Sequence, residues 1–285
     1  MKFFYMEVTV MSRVLLGLVI ILLLVSQSSI AAPKADLWSI WQKNDAQGGE
    51  PIDHSVWQDF LDSHLQRGND EITRLNYAEV SEDDKSLLDD YLARLQRSSV
   101  SSLSRDQQRA YWINLYNAGT VWVILKYYPV ASIRDIDISP GWFSDGPWGK
   151  KLFKIEGQMV SLDDIEHRIL RPIWKDPRLH YVLNCASLGC PNLQQQVFTV
   201  ENNEALLDQA ATSFINHRRG VDVVNGELSL SSIYHWFKED FGGSDLAIIS
   251  HLKRFANSAL AVKLRNVMEI SDHQYDWSLN EVVTK

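Results

Sequence analysis

Cys185 and Cys190 are the only two cysteines among 285 residues, and both fall in residues 179–191, with His180, Asn184, Ser187 and Gly189. A thiolate, not a thiol, is the nucleophile of cysteine chemistry. At an ordinary pKa near 8.5 the group needs an imidazole or a helix N-terminus beside it to ionise at neutral pH. A catalytic site also needs a group that orients the base and N–H donors for an oxyanion. Cys185 can supply the thiol, since Ala186, Ser187 and Gly189 leave room for a substrate to approach. His167 and His180 compete for the role of base, and His235 is a further candidate. Glu166 or Asp163 can orient an imidazole, and Asn114 or Asn117 can supply an amide. Two other readings of the thiol pair stay open, a local disulfide and packing as small apolar groups. His180, Cys185 and Cys190 are zinc-ligand types. However, the chain has no Cys-x-x-Cys pair, no His-Glu-x-x-His helix and no EF-hand spacing, so neither a metal nor another cofactor is expected.

The elements that must position these residues are read from periodicity. Residues 106–128 are apolar around most of a helical circumference, with Ser104 as cap and Pro129 as terminator, so this helix is expected to be packed on several sides. Asn114 and Asn117 project from it and must find buried partners. Ser161 and Asp164 form a capping box that opens a helix over residues 162–171, with Glu166 at the edge of its inward face and His167 about 100° further round. Residues 179–185 alternate like a strand, which puts His180 and Asn184 on one face and Cys185 on the other. Hairpins are expected at Glu156-Gly157 and Asn225-Gly226, helices over 54–65, 81–95, 204–218 and 247–260, and a strand over 262–270. A glycine- and tryptophan-rich loop, residues 139–149, suggests a lid or cleft wall. Helices and hairpins without a βαβ rhythm argue for an α+β fold, a central and largely antiparallel sheet packed with helices. The serine-rich segment 98–104 separates a helical N-terminal lobe, residues 32–104, from a main domain, residues 105–285.

Arg13, the apolar run over residues 14–25 and the small residues Ser29 and Ala31 form a secretory signal, residues 1–31, with the mature chain starting at Ala32. The run is at the short end of the roughly 17–25 residues that span a bilayer, so no stable membrane insertion is expected after cleavage. The protein is expected to be exported, to the periplasm or outside the cell. A formal charge of −8 with no basic cluster argues against nucleic acid as partner. Ten tryptophans and ten tyrosines exceed what packing demands, and several are expected to line a cleft.

Four stretches resemble the family catalogued as domain of unknown function 547. They contain Trp112, Asn114 and Asn117; Ser161 to Arg171 with Glu166 and His167; His180 to Pro191; and Tyr275 to Asn280. The resemblance runs over residues 70–280. It implies a cysteine-peptidase-like or transglutaminase-like core. It also implies that the Cys185 position is the steadier of the two, because serine can stand at the Cys190 position. The expected function is a cysteine-dependent hydrolase or acyltransferase acting on a small peptide-like or thiol-peptide amide. The alternative is a non-enzymatic binding module with an aromatic cleft.

Overall fold

An apolar surface on nearly every side of one helix requires neighbours on every side, and the fold is organised around that requirement. The computed structural model describes residues 33–141 and 145–282. The expected signal over residues 1–31 and Trp142 of the expected lid lie outside the described residues. Helices α1 (Ser55–His64), α2 (Glu82–Arg97) and α3 (Arg105–Tyr127) come first. The Ser104 hydroxyl accepts the Gln107 N–H and the Gln107 side chain accepts the Ser104 N–H, a reciprocal cap that starts α3. From Gln108 to Leu125 only Trp122 escapes burial. α2 packs along α3, and Trp57, Leu88, Tyr91 and Leu95 share one apolar core with Trp112 and Ile124. Val100 and Leu103, inside the serine-rich segment, are buried in that same core.

Two of the expected hairpins form at the expected turns. Strands β1 (Leu65–Arg67) and β2 (Thr73–Leu75) pair, as do β3 (Phe153–Ile155) and β4 (Gln158–Val160), which turn at Glu156-Gly157. Strands β5 (Val221–Val224) and β6 (Glu227–Ser231) turn at Asn225 (φ 54°) and Gly226 (φ 86°), the two positive angles that a type I′ turn demands. β6 also pairs in parallel with β7 (Asp272–Gln274). The molecule is thus a mixed α+β fold, but the expected central sheet is not formed among the described residues. Three small sheets take its place. Strands of three to five residues offer too little apolar face to build a layer, and α3 occupies the centre instead.

Two further expectations are corrected. Residues 179–185 are not a strand. Asp176 caps the Arg178 N–H and Pro177 opens a 3-10 turn, Pro177–Tyr181, so the apolar alternation serves a buried turn. The expected strand over 262–270 is instead preceded by helix: Asn257 caps Leu260, and the segment Ser258–Lys263 continues as a helix before a turn. The remaining helices are a π-helix, Asp164–Leu170, which runs into α4 (Arg171–Trp174), then α5 (Asn203–Ile215), α6 (Ile233–Trp236), α7 (Asp245–Phe255) and α8 (Ser258–Lys263). No described helix is long and apolar enough to cross a membrane.

The two amides of α3 answer the question of buried partners. Asn114 Nδ2 donates to Phe198 O at 2.8 Å, and its Oδ1 accepts the Phe198 N–H at 3.0 Å. Asn117 Nδ2 donates to Val182 O at 2.8 Å, and its Oδ1 accepts the Asn184 N–H at 2.9 Å. Each amide acts as a short piece of strand, tying a loop to the central helix. Asn117→Ala leaves one buried donor and one buried acceptor unmet, and we expect a loss of at least about 2 kcal/mol in urea unfolding. Unchanged stability would show that water satisfies both groups.

Candidate functional site

Cys185 sits in a turn whose shape is over-determined. Asn184, buried, accepts the Ala186 N–H on its own Oδ1 at 2.9 Å and donates Nδ2 to Pro191 O at 2.9 Å. Ala186 is fully buried with φ 56°, in the left-handed region that an alanine enters at a cost of about 1–2 kcal/mol. Such strain persists only where the surroundings impose it. They do so here through the C-terminal tail. Leu188 N–H donates to Ser278 O and Gly189 N–H to Asp276 O, both at 2.8 Å, while Asn280 N–H donates to Ala186 O at 3.1 Å. A Cβ on Gly189 would stand 2.6 Å from Asp276 N, so the approach of the two backbones requires glycine.

Cys185 is a half-buried residue and forms no disulfide. Tyr275 Oη lies 2.9 Å from its sulfur and Ser187 Oγ 3.3 Å, and the two hydroxyls are 2.9 Å apart. Burial pushes the thiol up, but hydrogen bonds from Cys190, Ser187 and Tyr275 outweigh it and bring the pKa down to about 7. Cys190 is buried, its sulfur accepts the Cys185 N–H at 3.0 Å, and burial beside Cys185 holds its thiol well above the ordinary range. Arg219 closes the loop from below, donating to Leu188 O at 2.8 Å and Asn192 Oδ1 at 2.6 Å. Tyr275 in turn packs into a half-buried aromatic cluster with Trp236 (4.8 Å between ring centres) and Trp277 (4.6 Å), and Trp148 edges onto Trp277 at 5.9 Å.

The other predicted site residues form a second group. The π-helix bonds Arg171 N–H to Glu166 O, and both Glu166 and His167 are buried in it. Glu166 accepts the Tyr116 hydroxyl at 3.1 Å and faces His180 Nδ1 at 3.7 Å. Burial lifts Glu166 to about 7 against the pull of Arg171 and Tyr116, and the charges of Asp163 and then Cys185 add to the rise. His180 Nε2 donates to Asp240 Oδ2 at 2.7 Å, and Phe237 stacks on its ring at 4.0 Å. Arg171 holds the same Asp240 through Nε at 2.6 Å and Nη2 at 3.2 Å. A third guanidinium donor, Nη1, reaches His167 Nδ1 at 2.9 Å. His167 therefore carries its proton on Nε2, which faces Asp163 Oδ1 at 3.6 Å. Burial and the Arg171 charge push His167 down to about 3. Burial also lowers His180, against the pull of Asp240. Asp163 is raised to about 6 by burial and by Asp164.

The structure thus brings Glu166, His167 and His180 into one cluster and Cys185 into a neighbouring one. Neither His167 nor His180 is among the hydrogen-bond partners of Cys185. His235 is exposed and pairs with His273, with ring centres 5.1 Å apart, away from these contacts. Asn117 spends both ends of its amide on backbone, so it positions the cysteine turn. Asp163 faces His167 alone among the candidate bases, and Asn114 serves the Phe198 loop. Tyr275, Asp240, Arg171 and Tyr116 were not singled out by sequence reasoning, and Ser187 was read there as a small residue that leaves room for substrate rather than as a partner of the thiol. Arg171 and Tyr275 lie inside stretches that carry the family resemblance, whereas Asp240 has no local signal. Among the described residues no group of three or more His, Cys, Asp or Glu side chains is arranged to hold a metal ion.

Residues 100–215 match the model of the family described as "Protein of unknown function, DUF547". That segment carries α3, the Glu166 helix and the cysteine turn, while Tyr275, Trp277 and Asp240 lie outside it. No curated protein and no solved structure matches the chain.

Proposed function

We propose that the protein is an exported cysteine-dependent hydrolase or acyltransferase with Cys185 as nucleophile, acting on a peptide-like amide. The observation that carries the reading is Cys185 itself, half-buried in a strained turn with the Tyr275 and Ser187 hydroxyls within hydrogen-bond distance of its sulfur. Those donors favour the thiolate. When the sulfur forms its bond to a carbonyl carbon it no longer accepts them, and both hydroxyls become available to the new oxyanion. The backbone donors are engaged, since Cys185 N–H points to Cys190 and Ala186 N–H to Asn184. Glu166 is the group best matched to move a proton near neutral pH, because its carboxyl titrates near 7 within electrostatic range of Cys185. His167 has its Nδ1 lone pair occupied by Arg171 and acts as a fixed neutral ring. The core likeness implied by the family resemblance, cysteine-peptidase-like or transglutaminase-like, is part of this proposal.

The test is alkylation of the native protein by iodoacetamide across pH, with the site assigned by mass spectrometry. Cys185 should react with a profile centred near pH 7, and at pH 6 its thiolate fraction should exceed that of an ordinary thiol by about 30-fold. Tyr275→Phe removes one donor and should move the profile upward. A Cys185 that resists alkylation until the protein unfolds would sink the proposal. The aromatic cluster of Trp148, Trp236, Tyr275 and Trp277 favours the second reading, a binding module. In that case Cys185→Ser keeps the ligand, whereas in an enzyme the same variant loses turnover with the fold intact.

A further inference from the structure

We propose that Cys185 and Cys190 work as a dithiol that reduces disulfide-bearing substrates, Cys185 taking up the incoming sulfur and Cys190 resolving the mixed disulfide. The inference rests on the Cys185 thiolate used above but not on acyl transfer. Three features of the turn carry it. The two sulfurs are unequal in access: Cys185 is half-buried beside the aromatic cluster, and Cys190 is buried behind it. An attacking thiol must be reachable, and a resolving thiol must be shielded from intermolecular partners. The turn also folds the two residues together. Cys190 N–H donates to Ser187 O at 3.1 Å, and the Cys190 sulfur lies 3.0 Å from the Cys185 backbone nitrogen. Finally, each sulfur has a neighbour that favours its thiolate. The Tyr275 and Ser187 hydroxyls lie within hydrogen-bond distance of the Cys185 sulfur, while the half-buried guanidinium of Arg219 lies within electrostatic range of Cys190 and donates to the Leu188 carbonyl and the Asn192 side-chain oxygen. That cation favours the Cys190 thiolate at the moment it must attack. The raised pKa of the Cys190 thiol keeps it protonated before that moment.

In the first step the Cys185 thiolate attacks one sulfur of RS–SR, the substrate S–S bond breaks, and RS⁻ leaves to take a proton from solvent. In the second step Cys190 gives up its proton and attacks the Cys185 sulfur, which displaces the second RS⁻. Two protein thiols are oxidised to one bridge, and one disulfide is reduced to two thiols. Closure also removes the nucleophile, so acyl transfer and the oxidised form exclude each other.

The reagent for the test is 5,5′-dithiobis(2-nitrobenzoate), added to the reduced native protein. Wild type should release two thionitrobenzoate anions per chain, the second at a rate independent of reagent concentration, and finish about 2 Da below the reduced mass. Cys190→Ser should release one anion and keep the mixed-disulfide adduct. Should that variant fail to fold, the concentration-independent second release in wild type carries the test alone. A wild type that keeps one adduct, or that takes two, overturns the dithiol while a fast iodoacetamide reaction leaves the nucleophile standing. If neither reagent reacts before denaturant is added, both readings fall.

Discussion

Replacing Arg171 by methionine should cost about 3 kcal/mol of stability at pH 7.5, and less than half of that at pH 5. Arg171 is 6% exposed and Asp240 22%, and the guanidinium meets this carboxylate through two of its nitrogens. Removing one partner of such a pair leaves the other charge without compensation, which costs about 3–5 kcal/mol when fully buried, and the partial exposure of Asp240 puts this case at the low end. The pH dependence follows from the other neighbour of the carboxylate. His180 donates Nε2–H to Asp240, and the Arg171 charge is one of the causes that lower its pKa. Without that charge we expect the pull of Asp240 to carry the imidazole above its unfolded value, so its stabilising contribution is present at low pH and is lost as pH rises through the folded pKa. In the variant, protonated His180 replaces the missing cation. Urea unfolding at the two pH values checks the claim. An equal loss at both would mean that His180 does not couple to Asp240.

That coupling also marks where the sequence stops being readable. Caps and tight turns are local: Ser81, Ser104 and Asn225-Gly226 each act within three residues, and the structure has them where the pattern puts them. The apolar cylinder of α3 is equally legible, because burial on all sides leaves no polar stripe. The run from Leu179 to Cys185 is not, since Leu179, Tyr181 and Leu183 are buried equally well by a strand or by a 3-10 turn. Pro177 and Asp176 held the deciding information. The pairing of His180 with Asp240 spans 60 residues and that of Cys185 with Tyr275 spans 90. No periodicity encodes such contacts, so the thiol and its candidate bases were legible as residue types while their division into two clusters was not. Glu166 and His167 are buried in a π-helix, whose i to i+5 bonding a regular helical wheel does not anticipate.

Glu166→Gln should make the protein more stable above pH 7 and steepen the dependence of its stability on pH. Glu166 titrates near 7 in the fold against an ordinary 4.5, chiefly because it is buried. A raised folded pKa means that the proton stabilises the fold. The contribution is fully present below pH 4.5 and is lost as pH rises through 7, a swing on the order of 3 kcal/mol. His167 has the opposite sign. Its pKa is lowered to about 3, so it contributes stability above pH 6.5 that is lost as the pH falls. The two slopes oppose each other between pH 4.5 and 6.5. Glutamine keeps an oxygen for the Tyr116 hydroxyl and removes only the titration, so the histidine slope should emerge uncompensated and the decline above pH 6.5 should vanish. Urea unfolding of both proteins at pH 4.5, 6 and 8 reads this directly: the curves should meet near pH 4.5 and separate by about 3 kcal/mol at pH 8. Parallel curves would show that Glu166 ionises as freely in the fold as in water. Protection of the fold at neutral pH is therefore not what keeps a carboxyl at this position, because the neutral amide serves stability better there.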